Sequence, residues 1–265
     1  MMTEKHFCLD DSPEFRMLEL DEVTSTNEFL RGYKSVDGER RITLVTAEYQ
    51  TAGRGAGTNH WESQRGENLL FSLLVHPRHI PADHMFVMSE IMSLAVREAI
   101  APLNPPMMGG DGRGLFSIKW PNDIYYGDKK ICGMLIENDL RGTCVERCVM
   151  GVGINVNQTA FESDAPNPIS LAQILGQVVE RRFVLESIME HFTRYYKWTE
   201  QGRLYELHEM YLSHLYRIHE KHRFREEKGE FCATITAVEP TGHLVLVDQH
   251  GAERRYAFKE VEYLI

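Results

Sequence analysis

A proline in the middle of an otherwise strand-forming stretch limits what this chain can build. Residues 116–120 and 124–126 are rich in aromatic and β-branched side chains, but Pro121 between them has no N–H to give to a ladder. The chain therefore bends at Pro121 and exposes Asn122 and Asp123 at a strand end. A further strand over 130–136 follows across Gly127-Asp128, which has the composition of a hairpin tip. Gly133 lies inside that strand, where a missing side chain marks a close approach to the backbone.

Around this block, apolar and charged residues alternate over 15–23, predicting a strand. Ser25-Thr26-Asn27 is an N-cap cluster opening a short helix through Phe29, Leu30 and Tyr33. Residues 42–48 and 68–75 read as strands, the second stopped by Pro77, with a Gly-rich stretch over 53–57 between them. Asp83 is placed to cap a long helix ending at Ile100, with Phe86, Ile91, Met92, Leu94, Ala95 and Val96 as its apolar face. Residues 105–114 hold two Pro and four Gly and predict a loop. A strand over 144–154 ends at Asn155, and helices dominate 170–216. Short strands over 231–238, 244–247 and 254–258 then form a small β unit, in which Glu239 and Asp248 are expected to be solvated. A boundary near Ile218 divides the chain into 1–217 and 218–265. The fold class is α+β, a mixed sheet with packed helices followed by a small β domain.

Composition excludes several functions. Lys and Arg number 29 against 39 Asp and Glu, a net charge of −10, so no basic stripe for phosphate neutralisation is present. The nearest approach, Lys221, Arg223 and Arg225, is followed by Glu226 and Glu227 and reads as a solvated strand; DNA is not an expected partner. No run reaches the ~18 apolar residues of a membrane span, and the N-terminus has no apolar stretch, so a cytoplasmic protein is expected. The five cysteines form no C-x-x-C pair, and His208, His214, His219 and His222 lack H-E-x-x-H spacing. No metal ligands are therefore assigned.

Three segments interrupt apolar strands with polar residues and glycine. In Gly53-Arg54-Gly55-Ala56-Gly57 the glycines allow backbone to approach an anion, and Arg54 can fork onto carboxylate or phosphate. It is neither a dinucleotide fingerprint, since Thr58 replaces the third Gly, nor a P-loop. The second is Lys119-Trp120-Pro121-Asn122-Asp123, followed by Lys130 and Gly133. The third is Gly151-Val152-Gly153-Ile154-Asn155, whose terminal amide could read a base edge.

Together, and in this order, these segments closely resemble the biotin–protein ligases. The resemblance runs from Ser25-Thr26-Asn27 through Glu48 to Gly55, Trp61, Lys119 to Asp123, Lys130, Gly133 and Glu137 to Gly151-x-Gly-Ile-Asn155. It implies a catalytic domain of the biotin/lipoate ligase type over 1–217 and an SH3-like β-barrel over 218–265. The implied reaction activates biotin with MgATP as biotinyl-5′-AMP and transfers the biotinyl group to a lysine of a biotin carboxyl carrier domain. Arg54, Lys130 and Asp123 would be catalytic, the cations neutralising two anionic reactants and Asp123 orienting or deprotonating the incoming lysine. Biotin would contact Ser25, Thr26, Asn27, Gln50, Gly53, Arg54, Gly55, Ala56, Lys130 and Gly133. ATP and the adenylate would contact Arg54, Trp61, Lys119, Asn122, Lys130 and Asn155, with Mg²⁺ required. A monomer or homodimer is expected, in a short form without an N-terminal DNA-binding domain.

The chain departs from the family pattern in the Gly-rich loop, where Ala56, Gly57, Thr58 and Asn59 replace a stretch that usually carries two more arginines. Fewer charge-assisted bonds should then hold the intermediate. A lipoate or octanoate ligase of the same fold would need a long apolar channel in place of the Ser/Thr/Gln cluster. A non-catalytic biotin binder would have no need of the phosphate-directed cations Arg54 and Lys130.

Overall fold

The structure, a computed structural model, describes residues 8–9, 12, 14–34, 41–55, 57, 59–103, 116–162 and 167–265. Seven strands form the main sheet: β1 (Phe15–Val23), β2 (Ile42–Gln50), β3 (Leu69–Val75), β4 (Phe116–Lys119), β5 (Asp123–Tyr126), β6 (Lys129–Arg141) and β7 (Cys144–Ile154). Their spatial order is β1-β2-β3-β7-β6-β5-β4, parallel between β1 and β2 and antiparallel elsewhere. β3 lies near the middle and is buried throughout.

Strand alternation sends neighbouring residues to opposite faces, and the core divides accordingly. Leu44, Leu73 and Met150 join the large cluster built with α2 (Val87–Ile100), α4 (Arg181–Glu200) and α5 (Leu204–Ser213). Their neighbours Val45, Leu74 and Val149 form a small cluster with Leu30 of α1 (Thr26–Gly32). α1 thus covers only part of the second face, and the rest of that face carries the polar and glycine residues singled out above. A five-residue helix, α3 (Leu171–Leu175), starts from a capping box in which Ser170 accepts from Gln173 N.

The C-terminal unit comprises β8 (Lys221–Glu226), β9 (Gly229–Val238), β10 (Leu244–Asp248), β11 (Glu253–Tyr256) and β12 (Glu262–Tyr263). They make an antiparallel sheet in the order β11-β10-β9-β8-β12. Among the described residues no pairing joins β11 to β12, so the strands form an open sheet where the sequence predicts a small barrel. Other local expectations also change. Asp83 does not cap α2; it lies in a separate 3-10 turn (Ala82–His84) and its carboxylate meets His84, while the helix begins after Phe86. β6 runs five residues beyond the predicted end at Ile136, because β7 supplies a partner as far as Arg141. Asp248 is buried, not solvated: its carboxylate accepts from His250 N, Ala252 N and Arg254, closing a tight turn. Arg223 and Arg225 on β8 pair with Glu230, and Arg225 also with Glu262. The predicted loop over 105–114 lies outside the described residues. Among them, no helix is long and apolar enough to cross a membrane, and all five cysteines are free.

Candidate active site

The floor of the site is built from glycine. Gly133 on β6 pairs in register with Gly153 on β7, and Gly151 lies between Leu135 and Ser72. A Cβ on Gly153 would stand 2.4 Å from Trp61 Cε2, and one on Gly133 2.9 Å from Trp61 Cζ3. A Cβ on Gly151 would stand 2.1 Å from Asn27 Oδ1. The absence of side chains at these three positions is what lets an indole and an amide rest against the sheet. Trp61 Nε1 is buried with no hydrogen-bond partner among the described residues.

Trp61 is delivered by the Gly-rich stretch, which forms a tight hairpin. Trp61 N donates to Gly53 O (2.9 Å) and Gly55 N to Asn59 O (2.8 Å), with an Arg54–His60 bridge between them. Gly53 has no room for a side chain, since a Cβ would stand 2.6 Å from Trp61 O. Gly57 turns back at φ 68°, and the Lys259 ammonium of the C-terminal unit lies against it. Ala56 lies outside the described residues.

Beside this floor is a pocket of buried hydroxyl and amide groups. Gln50 Oε1 accepts from Thr26 N (2.8 Å) and Thr26 Oγ1 (3.0 Å). Ser72 Oγ donates to Asn27 Oδ1 (2.6 Å) and lies 2.7 Å from Thr26 Oγ1. Asn27 Nδ2 donates to Leu135 O and Glu137 Oε2, so the fold itself uses this amide to tie α1 to β6. Ser25 occupies the N-cap backbone position and is almost fully buried, but its side chain makes no capping bond.

A row of charge crosses the other end. Lys119 on β4 pairs in register with Asp123 on β5, and Asp123 accepts from Lys130 Nζ on β6 at 2.6 Å, both side chains about one quarter exposed. The Lys119 ammonium lies over the rings of Tyr125 (5.3 Å) and Tyr263 (4.7 Å). Burial, ahead of the opposing pull of Asp123, lowers its pKa below the ordinary lysine value. Next to the row, Asn122 lines a cavity of about 540 Å³ with Trp120, Phe86, Ile136, Thr241 and Phe258.

Two predicted residues stand apart. Arg54 pairs with Glu28 of α1 at 3.2 Å, with no hydrogen bond or ion pair joining it to Lys130 among the described residues. Asn155 donates from Nδ2 to Ile169 O, ordering the turn before α3. Sequence reasoning missed Ser72, Glu28 and Tyr263. Ser72 carried a signal, a hydroxyl interrupting an apolar run; the other two are brought in only by the tertiary fold. Among the described residues no group of three or more His, Cys, Asp or Glu could hold a metal ion.

On one side of the mixed sheet lie a glycine floor, a buried polar pocket and, at a strand end, the charged row Lys119, Asp123 and Lys130. The sequence model of the Biotin/lipoate A/B protein ligase family matches residues 20–155, about half of the chain. The chain belongs to that family. It is 30% identical over 221 residues to the bifunctional ligase/repressor BirA of Bacillus spizizenii, covering 81% of this chain and 64% of that protein. It is 25% identical to the biotin--[acetyl-CoA-carboxylase] ligase of Paracoccus denitrificans, covering 88% of this chain and 95% of that one. The biotin protein ligase from Aquifex aeolicus in complex with biotin and ATP superposes with a TM-score of 0.74 at 25% identity, over 94% of this chain and 99% of that chain. The chain spans 64% of the length of the Bacillus relative.

Proposed function

We propose that this protein is an ATP-dependent biotin–protein ligase. The observation that carries the reading is the juxtaposition, on one sheet face, of the Thr26–Gln50–Ser72 polar pocket with the Asp123–Lys130 ion pair. The pocket's hydroxyl and amide groups suit a neutral ureido ring; a lipoyl or octanoyl chain would offer them no hydrogen bond in return. The paired cation suits an oxyanion.

In the first step a carboxylate oxygen of biotin attacks the α-phosphorus of MgATP, and the bond to diphosphate breaks. Both reactants are anionic, so cations must offset their repulsion and the charge developing on phosphorus. Lys130, held on the site face by Asp123, can transfer its donors to the reacting oxygens. Arg54, half exposed on its hairpin, can exchange Glu28 for carboxylate and phosphate together, as a guanidinium fork permits. Trp61 offers a ring for stacking against the base, Asn155 an amide for its edge, and Lys119 and Asn122 lie toward the phosphates. Mg²⁺ enters with ATP as substrate. In the second step the acceptor lysine nitrogen attacks the acyl carbon, the bond to AMP breaks, and the amine proton passes to Asp123. Gly53, Gly55 and Gly133 give biotin close access to backbone, Ser25 adds a hydroxyl, and Ala56 is assigned to biotin on the family resemblance alone.

The wider reading is a cytoplasmic enzyme, monomeric or homodimeric, that acts on a biotin carboxyl carrier domain and does not bind DNA through the units at 1–217 and 218–265. It is tested by the intact mass of a purified carrier domain incubated with the protein, MgATP, and biotin or lipoate in separate tubes. A biotin-sized gain only with biotin, slowed by roughly 10²–10³ in Lys130→Ala, is expected. A gain with lipoate alone overturns the substrate; no gain in either overturns the ligase reading.

A further inference from the structure

The block that ends β4 is gripped by the C-terminal unit from two sides. Lys119 projects onto the site face, in register with Asp123. Its neighbour Trp120 donates from Nε1 to Gly242 O at 2.9 Å and meets the Phe258 ring edge-on at 6.1 Å. On the site face, Tyr263 of β12 lays its ring 4.7 Å from the Lys119 ammonium. The ring is firmly placed: it is 7% exposed, contacts Phe224 of β8 at 5.2 Å, and is followed by Leu264, whose carbonyl accepts from Arg217 and whose N–H donates to Arg223 O. Tyr125 lies 5.3 Å from the same ammonium, and Tyr216 bridges the two rings, 5.5 Å from Tyr125 and 6.3 Å from Tyr263.

The Tyr263 hydroxyl is buried and has no hydrogen-bond partner among the described residues. A buried hydroxyl without a partner gives no net stabilisation, so the ring itself is what this position supplies. A tyrosine face attracts a cation and more so when desolvated.

We infer that Tyr263 is a positioning residue for the phosphate end of the active site: through it the C-terminal sheet fixes where the Lys119 cation stands. The inference rests on the proposed ligase reading, in which Lys119 faces the nucleotide phosphates. Tyr263 touches no reacting atom and acts through Lys119. The charged groups around that ammonium are Asp123 on β5, Lys130 on β6, Glu262 on β12 and Arg217 before β8. They are of both signs, two and two, so the rings and the burial they impose decide its state.

The test uses the full chain as wild type, Tyr263→Phe, Tyr263→Leu and Tyr263→Met. Lysine ¹³Cε NMR titration, with Lys119 assigned by Lys119→Arg, reads the ammonium without any reaction. Biotin-dependent ATP–pyrophosphate exchange reads KM for MgATP, and calorimetry reads biotin affinity. In Leu and Met variants the Lys119 pKa should move from its wild-type value, as the ammonium loses the ring face and its enclosure changes, and KM for MgATP should rise roughly tenfold, the order expected for losing a desolvated cation–π contact. Biotin affinity should stay within about twofold, as the polar pocket is untouched. Tyr263→Phe should match wild type in all three readouts. Equal KM and Lys119 titration across the four proteins overturns the inference and makes Tyr263 simple packing, as does a Phe variant that behaves like Leu. Should Leu and Met not fold, pentafluorophenylalanine placed at 263 takes their role: it keeps the ring's shape but removes its negative face, so KM for MgATP should rise, and an unchanged KM overturns the inference. Wild-type protein that shows the enclosed lysine by NMR but no exchange overturns the ligase reading and leaves the cage standing.

Discussion

Gly153 shows how a single hydrogen atom can be a functional group. It sits one residue before the end of β7, paired on both sides with Leu70 and Gly133, so its backbone cannot retreat. A methyl at this position would meet Trp61 Cε2 at 2.4 Å and lift the indole from the sheet. Gly153→Ala should therefore keep its fold, with destabilisation of about 1–3 kcal/mol as for other overpacked sites, while KM for MgATP rises at least tenfold. Pyrophosphate exchange and the shift of Trp61 fluorescence check both parts. In the proposed mechanism the two members of the Asp123–Lys130 pair serve different chemical steps. Lys130→Ala should slow activation by roughly 10²–10³, the scale of removing one charge-stabilising donor. Asp123→Asn should chiefly slow transfer from preformed biotinyl-AMP, read by single-turnover mixing with carrier domain; an unchanged transfer rate removes Asp123 from the second step. At the loop, Asn59→Arg restores a cation of the kind this chain lacks and should prolong biotinyl-AMP retention by roughly tenfold, one charge-assisted bond at ~1.5 kcal/mol. Gel-filtration retention of labelled intermediate measures it.

Among the elements, the contact between α2 and α5 holds the clearest pH dependence. Glu90 of α2 is 3% exposed and accepts from His208 Nδ1 of α5 at 2.7 Å. That hydrogen bond, ahead of the opposing cost of burial, raises the His208 pKa above the ordinary histidine value. A raised folded-state pKa contributes stability that is complete below the unfolded value, near 6.5, and is lost as pH rises through the folded one. His208→Gln should therefore lower Tm more at pH 6 than at pH 8.5, by thermal melting in matched buffers. The elements themselves were largely legible: alternation located β1, Pro121 located the bend between β4 and β5, and Gly127-Asp128 located the next turn. The site was legible as residue types at strand ends, because glycines and polar residues inside apolar runs have few other reasons to be there. What the sequence could not disclose were partners far apart along the chain. Glu28 against Arg54, Glu137 against Asn27 and Tyr263 against Lys119 depend on which strands become neighbours. Asp83 misled for a related reason: an acidic residue before a helical run resembles a cap, yet an imidazole next door competes for it.

Across the whole molecule, the two sheets are joined through the block that holds the candidate site residues Lys119 and Asp123. Trp120 and Phe86 both meet the turn around Gly242: the Trp120 indole donates to its carbonyl, and a Cβ there would stand 2.6 Å from Phe86 Cδ2. Gly242 also has φ 94°, a conformation that an L side chain rarely adopts. Gly242→Ala thus meets two obstacles at once, backbone strain and an aromatic ring from the start of α2. The turn should shift away from the catalytic unit, breaking the Trp120 hydrogen bond and loosening the neighbouring 119–123 block. Because Thr26, Gln50 and Ser72 lie far along the sheet and share no partner with that turn, biotin binding should change little. The expected pattern is a lowered Tm, near-normal biotin affinity by calorimetry, and a rise in KM for MgATP of the same order as in Tyr263→Leu. Loss of biotin affinity in parallel with ATP would show instead that the two units support the site as one undivided body.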